Sequence, residues 1–155
     1  MSQAKVFHVE NRLAKVARQP GGKSIGEALK AAEQRVEALR ERCEASLIDK
    51  AEALFITARG DRGDGAILTL DAVYDQANAI YGVAGTYGYA ALADAACSLC
   101  DVVHGFRGGE AVNWSAVDVH VDGIRLLATG RSAGAESVLE GLKRVRARFV
   151  PTGED

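Results

Sequence analysis

Three histidines, three cysteines and several glycine-rich turns carry most of the reactive potential of this chain. The stretch "ARQPGGKS" ends like a phosphate-binding P-loop, in which backbone amides cradle phosphates and a lysine neutralises them. That motif needs glycine where Ala17 stands and a strand before it, and the sequence offers neither. Cys97 and Cys100 form a CxxC pair. A tetrahedral zinc site needs a second pair, and both residues fall on a helical stripe, so they are expected to be small core residues. The connector "RGDRGDG" lacks the acidic spacing and terminal glutamate of a calcium loop. His8, His104 and His120 stand without a sequence pattern of serine and carboxylate around them. No triad is indicated, and each is expected to be structural. No metal or cofactor is implied.

The elements that would position any site are helical. Of 155 residues only two are proline and 6% are aromatic, while Ala, Leu, Glu and Arg abound. The length suits one domain with a real core. A net charge of −2 argues against nucleic-acid binding, which neutralises many phosphates. No apolar run approaches the roughly 18–20 residues needed to cross a bilayer, so no membrane partner is expected. The first residues lack the apolar region of a secretory signal. An odd number of cysteines fits reduced thiols, and a cytoplasmic protein is expected.

Along the chain, residues 1–23 read as an N-terminal arm ending in the turn signal "QPGG". Ser24 and Glu27 form a capping box. The apolar series Ile25, Leu29, Ala32, Val36, Leu39 and Cys43 follows, continued by Leu47, Ala51, Leu54 and Ala58. It predicts one helix of about 35 residues whose first half has coiled-coil spacing, suited to projection or to pairing with another copy. Further helices are predicted from Asp71 to Gly88, through Leu92, Ala96, Leu99 and Val103, through Val117, Val121, Ile124 and Leu127 to Gly130, and from Val138 to Phe149. No segment alternates like a half-buried strand. An all-α helical bundle over residues 24–150 is expected.

The helix over residues 71–87 poses a question. At about 100° per residue, Val73, Ala77, Ile80, Val83 and Ala84 gather on one side. Asp71, Tyr74, Asp75, Asn78, Tyr81, Gly82 and Gly85 gather on the other. Each interior glycine costs about 1 kcal/mol relative to alanine. Two of them beside Asn78, on a face turned from the core, leave room for another surface. Tyr74 and Tyr81 border that gap like an interface rim.

The stretch "NAIYGVAGTYGYAALADAACSLC" resembles the central helical hairpin of histidine-containing phosphotransfer (Hpt) domains. The family pattern is H-x-x-[KR]-G, then small residues, a glycine-containing turn and a helix with a Leu/Ala stripe. Gly82, Ala84, Gly85, Gly88, Leu92, Ala93, Ala96 and Leu99 match it, and "AVDVHVDGIRLL" looks like the fourth bundle helix. The resemblance spans roughly residues 40–149, its distinctive part being 71–106, and implies an antiparallel four-helix bundle with a long N-terminal helix. It fails at the chemistry. The phosphoacceptor histidine falls on Asn78 and the basic residue on Tyr81. An amide nitrogen is hardly nucleophilic, and tyrosine supplies no cation at neutral pH. Phosphoryl transfer depends on such electrostatics, so an inactive, non-enzymatic member is expected.

The resemblance then implies docking of a response-regulator receiver domain through Tyr74, Asn78, Tyr81, Gly82 and Gly85, keeping it from its histidine kinase or true phosphotransfer partner. Two alternatives stand beside it. One is an active relay using His104 or His120, or a chain in which Asn78 replaces a native histidine. The other is a dimerisation module, a homodimer built through the long first helix.

Overall fold

The computed structural model describes Ala14 and residues 21–107, 111–129 and 134–150. From residue 21 onward these form five helices: α1 (Ile25–Thr57), α2 (Ala66–Thr86), α3 (Ala90–Arg107), α4 (Trp114–Ala128) and α5 (Ala135–Arg146). No strand occurs among the described residues, so the all-α expectation is met. No helix among them is long and apolar enough to cross a membrane.

The first helix starts where its cap dictates. The Ser24 hydroxyl accepts from the Glu27 amide at 3.2 Å, and the Glu27 carboxylate accepts from the Ser24 amide at 2.7 Å. This reciprocal pair satisfies two amides that the first helical turn leaves without carbonyl partners. The serine of the P-loop-like stretch is therefore spent on a helix start. By its internal contacts the chain divides into two compact units, Met1–Ala38 and Leu39–Asp155, and α1 runs through the division. Most of the expected arm, residues 1–23, lies outside the described residues.

Within Leu39–Asp155, α3 is the central element, packing against α2, α4 and α5, and α4 also packs against α5. Half of α3 is buried, including Leu92, Ala96, Leu99 and Val103 on the predicted stripe. Cys43, Leu47, Ala51 and Leu54 from α1, with Ala58 just past its end, join the same core. Each leucine that is taken fully from water contributes about 1.5–3 kcal/mol. Val117, Val121 and Ile124 of α4 are buried, as is Leu142 of α5. Phe149 lies beyond α5 rather than within it, and its ring meets Phe106 edge-on at 5.3 Å. Helix α4 ends at Ala128, and the expected stop, Gly130, lies outside the described residues.

The α1–α2 connection explains why α2 begins at Ala66, five residues before the predicted Asp71. Asp61 folds the "RGDRGDG" stretch around its own carboxylate, accepting from the amides of Gly63 at 2.8 Å and Gly65 at 2.9 Å. A Cβ at Gly65 would lie 2.6 Å from that carboxylate, so only glycine permits the wrap. Thr69 adds a hydroxyl bond to the Asp61 carbonyl at 2.6 Å. Arg62 then holds the connection to α4 by a two-pronged bond to Asp118, at 2.6 and 3.0 Å. At its other end α2 stops at Thr86, before the expected Gly88. Gly88 takes φ +82°, and the Tyr89 amide donates to the Ala84 carbonyl at 2.9 Å, a glycine-dependent helix stop.

Candidate functional site

Helix α2 separates two kinds of surface. Val73, Ala77, Ile80 and Ala84 are buried and Val83 is half-buried, as the periodicity requires. On the opposite side Asn78, Gly82 and Gly85 are exposed, and Tyr81 is 46% exposed. Both glycines lie within the helix. A Cβ at either would meet nothing within 4 Å. Packing among the described residues therefore gives no reason for glycine there, although each costs the helix about 1 kcal/mol. The Gly82 carbonyl accepts from the Thr86 hydroxyl at 2.8 Å. No side-chain hydrogen bond engages Asn78 among the described residues.

The rim is not symmetric. Tyr74 is half-buried and packs against the core. The Arg107 guanidinium sits 4.5 Å from its ring centroid and forms an ion pair with Asp71. Stacking of this kind contributes about 0.5–1 kcal/mol at exposed sites. So Tyr74 is held within the fold, whereas Tyr81 faces outward. Sequence reasoning missed Arg107, since 36 residues separate it from Asp71 and no local pattern links them. It also missed Ile67, which is 59% exposed. The earlier start of α2 places Ile67 one helical turn before Asp71, on the stripe that carries Tyr74 and Asn78.

The remaining reactive residues resolve into structural roles. His120 is fully buried, and its Nε2 lies 2.9 Å from the Ser98 hydroxyl. Its Nδ1 is 2.8 Å from the Ala116 carbonyl. A carbonyl can only accept, so Nδ1 carries the proton and Nε2 accepts from Ser98. Burial pushes the His120 pKa below its ordinary value and keeps the ring neutral. This serine–histidine contact was not expected from the sequence. It is sealed from solvent, so no substrate reaches it. His104 is exposed near the end of α3, and His8 lies outside the described residues.

Cys97 and Cys100 are half-buried rather than fully enclosed. Burial pushes the Cys100 thiol up to about 11 and also raises Cys97, so both are protonated at neutral pH. Among the described residues no three His, Cys, Asp or Glu side chains gather into a metal site. Among the described residues, the open face around Gly82 and Gly85 offers an amide, Asn78, and a phenol, Tyr81.

Comparison of the chain with protein families, with curated proteins and with solved structures finds no match.

Proposed function

We propose that this chain is an Hpt-like four-helix bundle of two-component signalling that docks a receiver domain without accepting its phosphoryl group. The docking face consists of Tyr74, Asn78, Tyr81, Gly82 and Gly85, widened by Ile67. One observation carries the reading: two glycines sit inside a helix, beside Asn78, with open space where their side chains would be. A close-fitting partner explains both. Asn78 preserves the bulk and polarity of an imidazole but not its nucleophilic lone pair. Bound in this way, the receiver is withheld from its histidine kinase or from a competent phosphotransfer protein. The reading places the protein in the cytoplasm.

Titration against the receiver domains of the same cell tests this. At least one should bind with a Kd tighter than about 100 μM, near −5.5 kcal/mol, and bind less well to Gly85→Arg. The unaltered chain should stay unlabelled by a phosphorylated receiver. Asn78→His combined with Tyr81→Lys should gain an acid-labile phosphate. Failure of every receiver to bind, or labelling of the unaltered chain, overturns the proposal.

A further inference from the structure

The outer stripe of α2 is charged as well as open. Asp75, Asn78, Gly82 and Gly85 follow steps of three, four and three, and so share one side of the helix. Asp75 and Asn78 are both exposed. Residues three apart on a helix stand about 5–6 Å from each other at their Cβ atoms. Among the described residues no hydrogen bond or ion pair engages the Asp75 carboxylate.

No lysine, arginine or histidine occurs in α2, and Asp71 and Asp75 are its only charges. Among the described residues the one cation bonded to this helix, Arg107, is already committed. It pairs with Asp71 and lies 4.5 Å from the Tyr74 ring centroid. Asp71 is thereby neutralised and Asp75 is not. A partner closing over Asn78 meets an uncompensated negative charge one helical turn away.

On the docking proposed for this face, we infer that it discriminates between the two states of its receiver, holding the unphosphorylated form and repelling the phosphorylated one through Asp75. In a competent pair the receiver's phosphoryl group faces the phosphoacceptor position, which here is Asn78. Such a group carries about −1.5 to −2 charge at neutral pH. Set against Asp75 it is repelled, and the repulsion grows as the closing surfaces exclude water. Asn78 and Tyr81 offer hydrogen bonds but no positive charge to offset it. The unphosphorylated receiver docks against the same two glycines without that penalty. Withholding is then strongest before the kinase has acted, and a receiver that has been loaded is let go.

Titration of one receiver in two states tests this: unphosphorylated, and loaded with beryllofluoride as an anionic stand-in for its phosphoryl group. At low salt the unaltered chain should bind the loaded form at least about fivefold more weakly, and the gap should shrink in 1 M salt, where screening acts within about 3 Å. Asp75→Asn should cut the gap to about twofold while moving the Kd of the unphosphorylated form by less than about threefold. Asp75→Lys should close the gap or reverse it. Equal or tighter binding of the loaded form by the unaltered chain overturns the inference and leaves docking standing. So does a gap that survives Asp75→Asn in full, since a change of shape in the receiver would then account for it. If no receiver binds in either state, docking itself fails and the discrimination with it.

Discussion

Two glycine-bearing helices of this molecule place the same residue type in opposite circumstances. In α4, a Cβ at Gly123 would lie 3.1 Å from Leu142 Cδ1 and 3.4 Å from Val138 Cγ1. Glycine there lets α5 approach, and the reason is inside the fold. In α2, the space beside Gly82 and Gly85 is empty. A helix tolerates glycine wherever close approach offsets the lost propensity. For α4 the approaching surface is present, and for α2 no described residue supplies one.

The largest expected effect tests the α4 side. Gly123→Val forces added methyl groups against Leu142, which is 3% exposed. Overpacking of this kind costs about 1–3 kcal/mol, read as a lower urea midpoint. A neutral result would remove packing as the reason for that glycine.

A second test uses the neighbour of Gly123 one turn earlier. Burial, together with the nearby Arg146 charge, depresses the His120 pKa below 6.5, and the bond to the Ala116 carbonyl only partly opposes this. The unfolded chain therefore takes up a proton as pH falls through 6.5 while the folded chain resists it. Stability from this group is full above 6.5 and declines as pH falls from 6.5 toward the folded value. Unfolding free energy measured between pH 7.5 and about 5, above most carboxylate titrations, should fall. His120→Gln should flatten that decline. An unchanged slope would show that the ring does not titrate as described.

The smallest effect sharpens the α2 side. Gly82→Ala and Gly85→Ala should each stabilise the protein by about 1 kcal/mol, seen as a higher melting temperature, while weakening receiver binding. Asn78→Ala, at an exposed position, should change stability by less than about 0.5 kcal/mol. Destabilisation by either alanine would mean that the open face is occupied from within the chain.

Much of this was legible in the sequence because helical periodicity reports burial directly. Val73, Ala77, Ile80 and Ala84 were assigned inward by spacing, and they are the buried face of α2. The capping box at Ser24 was equally plain, being written in residues three apart. Long-range side-chain contacts left no such mark. Ser98 meets His120 across 22 residues, and Arg107 reaches Asp71 and Tyr74 from another helix. The start of α2 was hidden for a different reason. Asp61 turns a glycine-rich stretch that looks like a spacer into a structured cap. Periodicity also says nothing about what covers a seam. Leu29 and Leu47 belong to one continuous pattern, yet Leu29 is 59% exposed and Leu47 is 1%.

The Asp61 turn has a consequence for orientation. An α-helix rotates about 100° with each residue, so a start at Ala66 and a buried stripe of Val73, Ala77, Ile80 and Ala84 have to agree for Asn78 to face solvent. By gripping the Gly63 and Gly65 amides, a single carboxylate indexes the helix like a key in a slot. The buried stripe sets the compass bearing of the outer surface, and the Asp61 turn starts the helix in matching register, thirteen residues before Asn78, at Gly65.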